Sequence, residues 1–274
     1  MRINTNIASM KTQEYMRQNQ ARMESSMNRL SSGKRINSAA DDAAGLAIAT
    51  RMRAKESGLG VAARNTADGI SLVQTAESAL GSVSNILVRM RDLANQGANG
   101  TNGNSDSTAL QSEFKQLSDQ IKYIADNTQF NGTNLLNAGK SITIQTYDGT
   151  TAGEQITLNL TTAKSDLTTL GIDASKIDTN ADALTAVGAL NGALDKVAAG
   201  RADLGAYKNR LDYNTDNINN EATNMAASAS RIEDADMAKE MSDMTKFKIL
   251  AEAGVSMLSQ ANQSTQSVSK LLQG

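Results

Sequence analysis

Four features of the chain imitate chemical sites. Gly139-Lys140-Ser141 reproduces the end of a phosphate loop, G-x-x-x-x-G-K-[ST], in which backbone N–H groups and a lysine cradle phosphate at a helix N-terminus. The leading glycine should stand at position 134, which is Asn134, and the residues that follow alternate like a strand, so nucleotide binding is not expected. Asp212, Asn214 and Asp216 mimic the first three ligands of a calcium loop. Position six of such a loop is Asn217 instead of Gly, and position twelve is Thr223 instead of Glu. Gly97, Gly100 and Gly103 recur at threes, but no strand precedes them, as a dinucleotide fingerprint requires. The adjacent pair Asp41-Asp42 offers two carboxylates, yet neighbouring residues point about 100° apart on a helix, and no aromatic sugar platform lies nearby. A capping or interface role fits that pair better than acid–base catalysis.

The residue types that are missing close off more chemistry. The 274 residues contain no His, no Cys, no Pro and no Trp. Without Cys there is no disulfide framework, thiolate zinc site or sulfur nucleophile. Without His there is no Ser-His-Asp triad and no imidazole base. An enzyme is therefore not expected, and neither is a cofactor or metal. Lys and Arg number 27 against 29 Asp and Glu, a formal charge of −2, so bulk attraction to nucleic acid is not expected either. No apolar run is long enough for membrane insertion. The start, Met1 to Lys11, carries no apolar h-region, which points to the cytosol or to export without a cleaved signal.

The elements that would position these residues read as helices. At about 5% Pro a chain of this length would carry roughly fourteen, so their absence favours long uninterrupted helices. Five Tyr and three Phe are few for a bulky core and suit thin, zipper-like packing. Met16, Met23, Met27 and Leu30 form one stripe, with Ile3, Ile7 and Met10 offset from it. Val73, Ala76, Leu80, Val83, Leu87, Met90 and Ala94 alternate steps of three and four, as do Leu110, Phe114, Leu117, Ile121 and Ile124. That rhythm is the seam of a left-handed bundle or coiled coil. The longest run extends from Val187 to Ile232. One of its columns (Leu190, Val197, Leu204, Leu211, Ile218, Met225, Ile232) is apolar throughout, and the other is interrupted by Arg201, Lys208 and Thr215. A continuous helix there would be about 70 Å long. A last helix covers roughly 237–272.

Between the helices, Gly97 to Asp106 reads as a turn with Asp106 or Ser107 as N-cap. Residues 128–139 read as an Asn/Gly-rich loop. Ile142, Ile144 and Thr146, then Ile156, Leu158 and Leu160, alternate around Asp148-Gly149 and predict a β-hairpin. Residues 164–180 read as short loops and turns. The fold expected is mainly α: an elongated bundle or coiled coil of antiparallel long helices with a small β-hairpin mid-chain. The terminal stripes lack partners within their own segments, so the two ends are expected to pair with each other or with other copies. Met10, Met16, Met23, Met27, Met241 and Met244 lie there, and methionine suits surfaces that adapt to neighbours.

Six ordered blocks resemble bacterial flagellin. They are LSSGKRINSAADDAAGLAIATRMRA (Leu30 to Ala54), NTADGISLVQTAESAL (Asn65 to Leu80), TQFNGTNLL (Thr128 to Leu136), RADLGAYKNRLDY (Arg201 to Tyr213), SRIEDADMAKEM (Ser230 to Met241) and ANQSTQSVSKLLQG (Ala261 to Gly274). The likeness covers residues 1–138 and 185–274. It implies an inner axial coiled-coil domain, 1–44 plus 233–274, and a middle domain, 45–232, with the hairpin and loops at 139–180. It further implies a structural subunit that polymerises into the flagellar filament for motility. Such a subunit is exported unfolded through the flagellar type III channel, and its ends fold on assembly.

The partners so implied are other copies of the chain, an export chaperone at the C-terminal segment, the filament cap and hook-associated proteins, with an extracellular location. The vertebrate Toll-like receptor for flagellin would contact Arg89, Leu93 and Glu113. Axial contacts are expected at Ile3, Ile7, Met10, Met244, Leu258, Val268, Leu271 and Leu272. Two features depart from the family pattern: Thr265 replaces the usual Pro of ANQ-x-P-Q, and residues 139–184 are too few for large outer domains. A smooth, thin filament is expected. The alternatives are a hook–filament junction protein and, in another class, a flagellin with an inserted metallopeptidase, which this chain has neither the His nor the room to carry.

Overall fold

The computed structural model describes residues 6–137, 139–149, 151–173 and 175–273, with side chains described through Ser264 except that of Ala152. In chain order the elements are α1 (Ile7–Ser32), α2 (Ala43–Gly97), α3 (Asn104–Asn127), β1 (Gln129–Phe130), β2 (Thr133–Asn134), β3 (Ser141–Gln145), a 3₁₀ turn (Ala152–Glu154), β4 (Gln155–Asn159), α4 (Leu167–Leu170), α5 (Asn180–Glu233) and α6 (Met237–Gln273). The chain divides into two compact units, residues 1–56 with 223–274, and residues 57–222. Their borders lie inside α2 and α5. The borders expected from the sequence, 44/45 and 232/233, lie just inside the start of α2 and the end of α5.

Helices α1, α2, α5 and α6 each start on a side-chain cap. Asn6 Oδ1 accepts from the Ser9 N–H at 3.1 Å, and Asp42 Oδ1 accepts from the Gly45 N–H at 2.9 Å. Thr179 and Asp182 form a reciprocal box at the head of α5, at 3.2 and 2.7 Å. Asp236 Oδ1 takes the N–H groups of Ala238 and Lys239 at the head of α6. Helix α3 begins earlier than its expected cap. Gly103 is the N-cap, and Asp106 sits three residues in, reaching back to the Gly103 N–H at 3.2 Å. Asp41, the other half of the acidic pair, accepts from the N–H groups of Asn37 and Ser38 and from the Ser38 hydroxyl. Those bonds, the Ser38 N–H foremost, hold its carboxyl below the ordinary carboxylate range. Both aspartates are thus capping groups.

The core of the 57–222 unit is a seam between α2 and α5, sealed by α3 and the strands. Val73, Ala76, Leu80, Val83, Leu87, Met90 and Ala94 are all buried, and Phe114, Ile121 and Ala125 of α3 join them. Opposite lie Leu190, Val197, Leu204, Leu211 and Ile218. The second buried column of α5 is set one residue before the expected one. Ala186, Ala193 and Gly200 are buried, whereas Val187 and Leu194 are half-buried and Arg201 reaches out to Glu77 at 3.1 Å. The cause is steric: a Cβ at Gly200 would stand 2.8 Å from the carbonyl oxygen of Thr162. Only small residues let the segment after β4 lie against the helix. Of the imitated calcium loop, Asp212 pairs with Lys208 at 3.1 Å within α5, and Asn214 faces Thr66 of α2.

Strands β3 and β4 pair antiparallel, with Ile142 opposite Leu158 and Ile144 opposite Ile156. Ile144, Ile156, Leu158 and Leu160 turn into the core, as the predicted alternation requires. Within residues 128–139 lies a second, shorter ladder, β1 with β2. Asn131 and Gly132 occupy the two positions between its strands, both with positive φ, 48° and 75°. That is the two-residue turn an Asn-Gly pair favours.

Candidate assembly surface

The 1–56/223–274 unit holds the chain's two ends as an antiparallel helix pair. Asn6 Nδ2 donates to the Ala261 carbonyl at 3.0 Å. Met16 packs 3.7 Å from where a Cβ of Gly254 would stand, the Arg22 guanidinium lies 5.8 Å from the centre of the Phe247 ring, and Arg29 pairs with Glu240 at 3.3 Å. The inward face of α1 is Ser9, Thr12, Met16, Asn19, Met23, Ser26 and Leu30, in steps of three and four. The answering face of α6 is Glu240, Met244, Phe247, Ala251, Gly254, Leu258 and Ala261. Both faces are thinly apolar, and most of their positions are only half-buried.

The two breaks in the chain are stitched together where this pair meets α2 and α5. Gly33, at φ 71°, ends α1 with its N–H on the Arg29 carbonyl at 2.8 Å. Its own carbonyl takes the Ala235 N–H at 2.9 Å, and the Glu233 carbonyl takes the Arg35 N–H at 2.6 Å. The Glu233 side chain is buried, with Lys34 Nζ 3.1 Å and Arg53 Nη2 3.5 Å from its Oε2, at ion-pair distance but outside hydrogen-bond geometry.

Away from that inward face the pair stays apolar. Ile7, Met10, Tyr15 and Met27 on α1 are exposed, as are Met237, Met241, Ile249, Leu250, Val255 and Met257 on α6. Single exposed apolar residues are normal on any protein; ten on one helix pair are not. At roughly 1.5–3 kcal/mol for each complete burial, half-covered already, they hold on the order of 10 kcal/mol of gross transfer energy that no neighbour among the described residues collects.

Of the expected axial residues, Ile7 and Met10 are exposed, 56% and 61%. Met244 and Leu258 lie on the inward face of α6 and are half-buried. Ile3 and the side chains of Val268, Leu271 and Leu272 lie outside the described residues. Ile249, Leu250, Val255 and Met257 stand off the three–four stripe, so its periodicity does not mark them. The signal available for them is the polar and small composition of the stripe itself, which leaves too many large apolar residues unassigned.

The three expected receptor positions lie on α2 and α3. Arg89 and Glu113 are exposed, and Arg89 donates from Nε at 3.0 Å and Nη2 at 2.7 Å to the one oxygen Oε1 of Glu113, bridging α2 and α3. Leu93 is 1% exposed and belongs to the core of the 57–222 unit. It stands three residues after Met90 and one before Ala94, on the inward side of α2. Among the described residues no group of His, Cys, Asp and Glu side chains could hold a metal ion, and no helix is long and apolar enough to cross a membrane.

Paired helical ends, a closed helical core and an uncovered apolar exterior define a structural protein whose business is packing. The models for the bacterial flagellin N-terminal helical region and C-terminal helical region match residues 3–141 and 187–272. Flagellin of Listeria innocua is 45% identical over 99% of both chains, and that of Halalkalibacterium halodurans 46% identical over 99% of this chain and all of its own. The crystal structure of Bacillus cereus flagellin, 42% identical, covers 61% of this chain and 94% of that one at a TM-score of 0.50. This chain belongs to the bacterial flagellin family. A hook-associated protein structure from Vibrio parahaemolyticus shares the fold at 16% identity and a TM-score of 0.58.

Proposed function

We propose that the chain is the repeating subunit of a flagellar filament, joined to its copies through the exposed faces of α1 and α6. The observation that carries this reading is the ring of ten exposed apolar side chains on the paired ends. A gross gain on the order of 10 kcal/mol is comparable to the roughly 4–15 kcal/mol that association costs in lost freedom. One pairwise contact therefore does not hold, and a lattice in which each subunit touches several others does. The chemistry is burial alone, with no catalytic step.

The finer parts of the reading follow from family membership. The subunit leaves the cell unfolded through the flagellar type III channel, escorted by a chaperone on its C-terminal segment, and assembles beneath a filament cap onto hook-associated proteins. The filament lies outside the cell and drives swimming by rotation. Its ends, Ile3, Val268, Leu271 and Leu272 among them, join Ile7, Met10, Met244 and Leu258 in the axial contacts. A vertebrate Toll-like receptor meets the subunit at Arg89, Leu93 and Glu113, of which Arg89 and Glu113 bridge α2 and α3.

The test is seeded growth. Full-length subunit added to sheared filament fragments is expected to form long filaments by negative-stain microscopy, and chains lacking residues 1–32 or 237–274 are expected to remain soluble. Filaments from either truncation would overturn the reading. For the receptor, Arg89→Ala should lower activation by the monomer, and an unchanged response would remove that contact.

A further inference from the structure

The exposed part of the helix pair is rich in one oxidisable group. Met10 is 61% exposed, Met241 52% and Met257 63%, and Met27 and Met237 are also open. Met90, by contrast, is wholly buried in the 57–222 unit. The chain has no cysteine to intercept an oxidant. We propose that Met10, Met241 and Met257 make assembly sensitive to peroxide: their sulfoxidation on the free subunit blocks incorporation, and burial in the filament shields them. The proposal rests on the filament reading above.

The step balances with hydrogen peroxide as the two-electron oxidant. The thioether sulfur attacks one peroxide oxygen, the S–O bond forms as the O–O bond breaks, and the departing oxygen leaves as water. The product sulfoxide is polar and carries a strong acceptor oxygen, where the thioether was a soft apolar surface. Met10 and Met241 point away from the α1–α6 seam and Met257 lies at its flank, so oxidation leaves the pair itself intact. What changes is the face offered to a neighbour. There the sulfoxide must lose its water, and an apolar contact returns no hydrogen bond for it. The lesion is reversible by the two stereospecific methionine sulfoxide reductases.

The experiment treats full-length subunit with hydrogen peroxide, maps sulfoxides by peptide mass spectrometry, and measures the concentration left soluble after seeded growth. Met10, Met241 and Met257 should oxidise before Met90. The soluble residue should rise at least about tenfold for the modified subunit and return after reductase treatment. In preformed filaments the same three residues should be spared. A triple Met→Leu variant at these positions should assemble and resist the oxidant. Oxidised subunit that assembles at the untreated concentration would overturn the proposal. So would equal oxidation in filament and monomer, or a Leu variant that assembles yet stays sensitive. If untreated subunit fails to extend seeds, the filament reading itself has failed.

Discussion

Ile249 is the sharpest probe of the exposed face. It is 59% exposed and lies opposite Phe247 and Ala251 on α6, away from α1. Truncation to Ala removes three carbons. At about 0.8 kcal/mol per buried CH₂, scaled by the 59% that remains to be covered, Ile249→Ala forfeits about 1.4 kcal/mol of assembly energy. Ala favours the helix by a few tenths of a kcal/mol, which trims the loss to about 1 kcal/mol if α6 must order on assembly. The concentration of subunit left soluble at equilibrium with filament should therefore rise about five- to tenfold. Seeded growth followed by pelleting reads that concentration directly. Circular dichroism and thermal melting of the free subunit should be unchanged, because the side chain touches nothing in the seam. A soluble concentration within about twofold of the wild type would refute the reasoning, since context alone shifts such energies by that much.

Four further outcomes are expected. Gly200→Ala should lower the stability of the 57–222 unit by about 1–3 kcal/mol, because its Cβ would stand 2.8 Å from the Thr162 carbonyl oxygen. Gly205→Ala, five residues on with nothing within 4 Å, should raise it by about 0.5–1 kcal/mol; thermal unfolding of the pair checks both. Glu233→Gln should cost about 1–3 kcal/mol in the other unit, leaving two cations beside a buried amide, with the loss read by hydrogen exchange at Arg35 and Ala235. Asp41 has a lowered carboxyl pKa, so the bonds it accepts in the turn 37–41 persist above the ordinary carboxylate range. They are lost as pH falls through its own lower value, and the amide exchange of Asn37 and Ser38 should accelerate there, whereas in Asp41→Asn it should be fast already at neutral pH.

The helices were legible wherever large apolar residues kept the three–four rhythm: Val73 to Ala94, Leu110 to Ile124 and the Leu190 column. Within the 57–222 unit the buried side of α2 begins upstream of Val73, at Leu59, Ala62, Thr66 and Gly69. There it is written in small and polar residues, and hydrophobicity has little to register. Close packing selects for size at those places, as the Ile144 side chain 2.3 Å from a would-be Cβ of Gly69 shows. Gly200 displaced a column of α5 for the same reason. The β1–β2 ladder was missed although Asn131-Gly132 announced it, because two residues on each side are too few to show a period of two.

The candidate surface was legible only in part, for a cause that lies in how such a subunit must be built. A stripe in the sequence marks residues that face a fixed partner at fixed register, which here is the α1–α6 seam: Met16, Met23 and Leu30 against Met244 and Leu258. In the proposed filament, contacts to other copies would obey no such period, since a subunit would meet several neighbours at different angles around its helices. Such contacts require apolar residues scattered about the circumference, as Met10, Tyr15, Met241, Ile249, Val255 and Met257 are. On the proposed filament reading, strong periodicity reports the internal partner and its violation the external ones. It follows that the weak seam is part of the design: a strongly apolar seam would close the pair on its own, whereas Ser9, Thr12, Asn19 and Ser26 on its inner face leave its stability dependent on what packs outside.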